Sequence, residues 1–213
     1  MSTSKSSVTP RKSKAVAEAK VSPKKSKKVA PANGVPRLMV LYRQELIPQL
    51  MEEFDYTNKM EVPRLVKIVL NIGLGEAIQN QRVLESAQRN LSLIAGQHPV
   101  ITKARKSIAN YKLRAGQNIG VMVTLRGHRM YEFFDRLVNA ALPRLRDFRG
   151  LSLNSFDTGA NYSLGIGEQT LFPEIEYNTE GGLRGLEATF VTTARRKEES
   201  QRLLQLLGMP FSR

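Results

Sequence analysis

Two short echoes in the sequence, GLGE at Gly73–Glu76 and GIGE at Gly165–Glu168, set a carboxylate behind a pair of glycines. Such residues could cradle a phosphate or supply an acid–base pair. The first echo follows a strand pattern and precedes a helix pattern, the setting of a dinucleotide-binding turn. However, the third glycine of G-x-G-x-x-G would fall at Ile78, and no repeated βαβ units surround it. Read as turns, the two echoes mark places where the backbone bends sharply or approaches a partner closely. Glu76 and Glu168 could share acid–base work only if folding joined them, and nothing in their spacing does so. His98 and His128 stand in no metal-ligand spacing and beside no nucleophile, and Gln97–His98–Pro99 reads as a turn. The absence of cysteine removes disulfides, thiolate zinc sites and thiol catalysis together. No active site assembles from these residues, so the chain is expected to be non-enzymatic and to need no cofactor.

Charge is the stronger signal. The 213 residues carry 33 Lys plus Arg against 19 Asp plus Glu, a net +14, which points to a polyanionic partner. No run approaches the roughly 20 apolar residues of a membrane-spanning helix, and no secretory segment is evident. Residues 86–131 contain no acid, but hold Arg89, Lys103, Arg105, Lys106, Lys112, Arg114, Arg126 and Arg129. A solvated surface normally mixes its signs, and a single-sign span of this length favours phosphate binding. Its densest part, Thr102–Gln117, adds Ser107, Asn110 and Tyr111 among the cations, a mixture suited to sugar–phosphate contact and base stacking. Tyr111 is equally placed to be a small hydrophobic anchor for that loop.

The elements that must carry these residues follow from periodicity. Residues 1–36 hold eight Lys, one Arg and a single acid, Glu18, with no aromatic residue. They are expected to be a disordered basic arm; a transit peptide would favour Arg and show an amphipathic period. From Arg37 the pattern turns globular, so that 37–213 is expected to form one domain. Met39, Tyr42, Leu46, Leu50 and Phe54 recur at helical spacing, with Pro48 as a kink or break inside the run. RLVKIVLNI, Arg64–Ile72, alternates as a strand, with Val66, Ile68, Leu70 and Ile72 on one side and Lys67 and Asn71 on the other. Asn80 is placed to cap a helix bearing Leu84, Ala87, Leu91 and Ile94, stopped at Gly96. Val100–Lys103 precedes the basic loop, and Asn118–Gly127 is a second clear strand. In it Ile119, Val121, Val123 and Leu125 point inward, and Met122, Thr124 and Arg126 outward. Met130, Phe134, Leu137, Ala141 and Leu145 mark a helix ending near Pro143. Short strands at Tyr162–Glu168 and Ala188–Thr193 lead to a final helix around Leu203–Leu207, closed by Gly208 and Pro210.

The expected fold class is therefore α+β: a mainly antiparallel sheet with helices packed on one face, plus the basic N-terminal arm. Lys67, Asn71, Thr124 and Arg126 then share the other face, either as a ligand-meeting surface or simply as the solvated side of the sheet.

EVPRLVKIVLNIGLGEA (Glu61–Ala77), GQHPVITKARKSIANYKLRAGQNIG (Gly96–Gly120), VTLRG (Val123–Gly127), MYEFFDRLVNAALPRLRDFRGL (Met130–Leu151) and NYSLGIGEQTLFPEI (Asn161–Ile175) resemble large-subunit ribosomal protein five, the bacterial-type 5S rRNA-binding family of the central protuberance. The likeness runs from about Met39 to the C-terminus, with many motifs in order, and typical members lack the arm before Pro36. It implies a mainly antiparallel sheet with helices on one side. It also implies that the partners are 5S rRNA, a nearby 23S rRNA helix, the peptidyl-site tRNA and small-subunit protein thirteen across the subunit bridge. Carried over by position, it implies that Asn71, Gln97, Thr124 and Arg126 contact 5S rRNA, joined by Lys67 from the same outward face. The loop from Lys103 to Arg114, with Lys103, Arg105, Lys106, Ser107, Tyr111, Lys112 and Arg114, is implied to meet tRNA and RNA backbones. The expected location is the ribosome in the cytoplasm, with an organellar matrix or stroma as the alternative. Two rivals are a free nucleic-acid chaperone or repressor, and a nucleotide-dependent enzyme using the GLGE turn.

Overall fold

The computed structural model describes residues 34–78, 80–146, 148–175 and 184–212, with the side chain of Ile78 left out. Nearly all of the expected basic arm lies outside them. The described chain opens with α1 (Arg37–Leu41), a π-helical turn (Tyr42–Leu46) and α2 (Ile47–Phe54), which bury Leu38, Tyr42, Leu46 and Leu50 at successive intervals of four. Pro48 cannot donate a helical hydrogen bond. The wide turn just before it, closed by the Ile47 amide on the Tyr42 carbonyl, absorbs the break that the sequence foretells. The same device recurs in the next proline-bearing helix: α4 (Gly127–Arg136) runs into a π turn (Leu137–Ala141) and then a tight 3-10 turn (Leu142–Arg144) at Pro143.

Five strands form one antiparallel sheet in the order β2-β3-β1-β5-β4. They are β1 (Leu65–Gly73), β2 (Val100–Lys103), β3 (Asn118–Leu125), β4 (Tyr162–Ile166) and β5 (Leu186–Thr192). The long apolar strand β1 is central, pairing Leu70 with Val123 of β3 on one side and with Ala188 of β5 on the other. Its register shifts between Leu65 and Lys67, a bulge that corrects one expectation. The extra residue turns Leu65 into the core and leaves Val66 half-buried, because a bulge adds a residue without a partner and breaks the period of two. Met39 likewise gives its expected core place to Leu38.

Helices α3 (Gln81–Ala95), α4 and α5 (Lys197–Leu206) supply the apolar residues that meet the sheet. Asn80 caps α3 as expected, its side-chain oxygen accepting from the Arg82 amide at 3.1 Å, and Gly96 ends it in the left-handed region at φ 62. Glu199 braces the start of α5 by accepting from the Arg195 and Arg196 amides. Ile68, Leu70, Ile72, Val121, Leu125 and Phe190 from the strands pack in one cluster with Leu91, Ile94, Phe133, Phe134, Leu203 and Leu204 from the helices. Phe134 meets Phe190 edge-on at 5.6 Å, and Phe133 stacks on Phe172 at 5.8 Å. Each side chain so buried contributes about 1.5–3 kcal/mol of transfer free energy. Among the described residues no helix is long and apolar enough to cross a membrane.

Candidate nucleic-acid interface

One face of the sheet holds this core, while the other faces solvent. In β4 and β5 the alternation is clean: Tyr162, Leu164 and Ile166 are buried between exposed Ser163 and Gly165, and Leu186, Ala188 and Phe190 between Glu187 and Thr189. The register aligns the outer residues in rows. One row runs Thr124, Val69, Thr189, Ser163; the next runs Val100, Met122, Asn71, Glu187, Gly165.

The expected residues of this face converge on its β1–β3 half. Asn71 and Thr124 occupy adjacent rows. Lys67 lies one step beyond Val69, and exposed Arg126 directly follows the Ile68–Leu125 pair beside it. Gln97 reaches the same edge from the α3–β2 turn, its amide donating to the Thr124 carbonyl at 3.5 Å where β2 no longer covers it. His98 is a brace of that turn, paired through Nε2 with Gln88, which also donates to the Pro99 carbonyl. On the β5–β4 half the polar residues satisfy one another. Asn71 donates to Glu187 at 3.5 Å, and the Ser163 and Thr189 hydroxyls lie 3.1 Å apart. The face is thus cationic on one half and neutral to acidic on the other. Glu187 escapes a reading by periodicity that starts the last strand at Ala188, two residues after its true beginning at Leu186.

Glycine sets the height of this floor. Gly120 pairs with Gly73, and a Cβ on Gly120 would stand 2.7 Å from the Ile72 carbonyl oxygen and 2.9 Å from Thr102 Oγ1. A side chain there cannot fit. At Gly73, Gly75, Gly165 and Gly167 an added Cβ meets nothing within 4 Å, and none has a positive φ. The GLGE and GIGE echoes therefore turn without left-handed strain: Gly75 opens a 3-10 turn (Gly75–Ile78), and the backbone bends at Gly167 as expected. Glu76 lies close enough to the Arg184 guanidinium to act on its charge. Burial lowers the pKa of Arg184, with Glu76 opposing that shift, and its Nη1 donates to the Val83 carbonyl at 2.9 Å. No group of three His, Cys, Asp or Glu among the described residues could hold a metal ion.

The basic stretch is a folded finger between β2 and β3. At its base, buried Ala104 exchanges main-chain hydrogen bonds with Gln117 and Gly116. Near its tip, Ile108 and Leu113 bond to each other in both directions around a 3-10 turn (Ala109–Tyr111), and Lys112 closes the turn at φ 52. Ser107 Oγ accepts from the Ala115 amide at 3.0 Å, and Gln117 Oε1 from the Arg114 amide at 2.8 Å. Ser107 therefore supports the finger's shape, and Gln117 is a brace that charge counting has no means to find. Lys103, Arg105, Lys106, Lys112 and Arg114 line the finger and form no ion pair with the described residues. Tyr111 is 70% exposed, so it does not anchor the loop.

A single sheet covered on one side, with an open cationic half-face and a self-braced basic finger, defines a structural scaffold for a polyanion. Residues 58–114 match the family described as Ribosomal protein L5, and residues 118–211 match the model of that family's C-terminus. The chain is 62% identical over 177 residues to the large ribosomal subunit protein uL5 of Roseiflexus castenholzii, covering 83% of this chain and 98% of that protein. It is 58% identical over 179 residues to the protein of the same name from Carboxydothermus hydrogenoformans, covering 84% of this chain and all of that one. The chain belongs to the ribosomal protein L5 family. It is accordingly a structural, non-enzymatic ribosomal protein.

Proposed function

We propose that the chain is a constituent of the large ribosomal subunit that clamps 5S rRNA against its open sheet face. Asn71, Gln97, Thr124, Arg126 and Lys67 make the contacts, and neighbouring 23S rRNA adjoins the same assembly. The finger carries Lys103, Arg105, Lys106, Ser107, Tyr111, Lys112 and Arg114 to the peptidyl-site tRNA, and the protein takes part in a bridge to small-subunit protein thirteen. Residues 37–213 act as one RNA-binding domain on the ribosome in the cytoplasm, and the basic arm of 1–36 adds rRNA phosphate contacts. The observation that carries this reading is the convergence of the polar residues on the uncovered β1–β3 half-face. Side-chain amides, a hydroxyl and a guanidinium on a rigid pleated surface suit the ribose hydroxyls and phosphates of folded RNA.

A salt titration of the purified protein with 5S rRNA, in the presence of excess tRNA or duplex DNA, tests it. A 5S complex that survives both competitors supports the reading. Equal affinity for every polyanion would leave only a generic polycation. Stoichiometric co-sedimentation with large subunits separates a constituent from a free nucleic-acid chaperone.

A further inference from the structure

In the two rows of the open face, Glu187 alone carries a charge, and it stands opposite Asn71 in the register of β1 and β5. It is exposed and forms no ion pair with the described residues. Its carboxylate accepts from Asn71 Nδ2 at 3.5 Å. The bond is long, yet it acts on an amide that has only two orientations to choose between. A carboxylate has no proton to give, so the reversed amide would set the Asn71 carbonyl oxygen against it, acceptor against acceptor. Glu187 therefore holds Nδ2 toward β5 and turns Oδ1 toward the β3 side. No described residue donates to that oxygen.

The surroundings decide what can meet it. Residues directly opposite on neighbouring strands hold their Cβ atoms about 5 Å apart, so a phosphate drawn to Asn71 would also lie against the Glu187 carboxylate and be repelled. A neutral donor meets no such repulsion. RNA offers one on every nucleotide, the ribose 2′-hydroxyl, which DNA lacks. The floor around the pair is also low. Gly165 stands opposite Glu187 on β4 with open space where a side chain would be, and Gly73, two residues beyond Asn71 on the same face, pairs with Gly120. A short amide on so flat a floor meets the sugars lining the wide, shallow minor groove of an RNA helix before it reaches the base edges.

We infer that Glu187 is a positioning residue: it fixes the Asn71 amide so that Oδ1 accepts a hydrogen bond from a ribose 2′-hydroxyl. The pair is then the point at which the sheet face tells RNA from DNA, and an acid on the binding face of a basic protein acquires a purpose. This inference rests on the reading that 5S rRNA occupies the open face.

The test uses the full chain and two pools of 5S rRNA, one with sparse 2′-deoxynucleotides at random positions and one with inosine scattered in place of guanosine. Each pool is partitioned into bound and free RNA, and the binding penalty is read at every position. With wild-type protein, at least one 2′-deoxy position should bind about three- to tenfold more weakly. Asn71→Ala should erase that penalty. Glu187→Gln should keep it, because the glutamine carbonyl can still accept from Nδ2. Glu187→Lys should tighten binding overall through its charge yet lose the penalty, because an ammonium can only donate and so draws Oδ1 round to itself. A merely structural role for Glu187 would change the affinity for all RNA alike and leave each penalty as in wild type. That result, or a wild-type protein with no 2′-deoxy penalty erased by Asn71→Ala, would overturn the inference with 5S binding still standing. Erasure of an inosine penalty instead would overturn it in favour of a guanine amine. Failure of the wild type to bind either pool would count against the sheet-face reading, and the inference would fall with it. Melting temperatures are compared across the series, and should one Glu187 variant fail to fold, the other is read against wild type and Asn71→Ala.

Discussion

Gly165 lies exposed in β4, opposite Glu187, with open space where a side chain would stand. Alanine there keeps the strand conformation and reduces the freedom of the unfolded chain, so Gly165→Ala is expected to stabilise the isolated protein by about 0.5–1 kcal/mol in denaturant unfolding. The same methyl raises the floor against which RNA would press, so 5S affinity should fall as stability rises. Thr124→Ala and Arg126→Ala should each weaken 5S binding, the second by about 1–3 kcal/mol, whereas replacing Lys103, Arg105 and Lys106 should leave it mostly intact. Equal losses from both sets, measured by filter binding, would merge the two surfaces into one. Tyr42 offers a check on the core rather than on the site. Its hydroxyl donates to the Pro63 carbonyl at 3.1 Å, and burial, with a smaller push from Tyr131 and an opposing pull from Arg64, raises its pKa to about 12. The native state thus keeps a proton that the unfolded chain releases near pH 10. The stabilisation is complete below pH 10 and is lost as pH rises toward 12. Tyr42→Phe should flatten that alkaline decline in a pH series of unfolding midpoints.

At the scale of elements, the finger keeps its shape through local hydrogen bonds rather than a core. Ser107→Ala with Gln117→Ala removes two acceptors of main-chain amides, and should speed amide exchange and protease cleavage between Lys103 and Gln117 while leaving the global melt unchanged. Such braces are illegible in the sequence, because a serine or glutamine among lysines reads equally well as an RNA contact. Periodicity alone is enough to put Lys67, Asn71 and Thr124 on the open side, through the alternation in β1 and β3, and local capping chemistry bounds α3 at Asn80 and Gly96. A rule of fixed period falters where the backbone changes phase. The bulge after Leu65 shifts one residue across the sheet, and the π turns before Pro48 and Pro143 shift helical phase. Gln97 is placed by the family resemblance, since only the fold carries a turn residue to the end of a distant strand.

Across the whole molecule, charge is distributed by side and by edge, which makes salt dependence a reporter of which surface is in use. Binding through the finger should lose about one unit of log–log salt slope for each of its five cations removed, if tRNA is the probe; 5S binding should not follow that series. The sheet order carries a further consequence. β1 takes β3 on one flank and, on the other, β5, which is not made until synthesis reaches Leu186. A chain stalled earlier leaves its central strand half-paired and its apolar side unsealed, so the platform does not yet exist for a nucleic acid to recognise. The winding order of the ribbon is therefore expected to act as an inspection step, with chains that lack β5 failing to join the particle. A fragment ending at residue 175 should accordingly show neither a cooperative melt nor 5S binding.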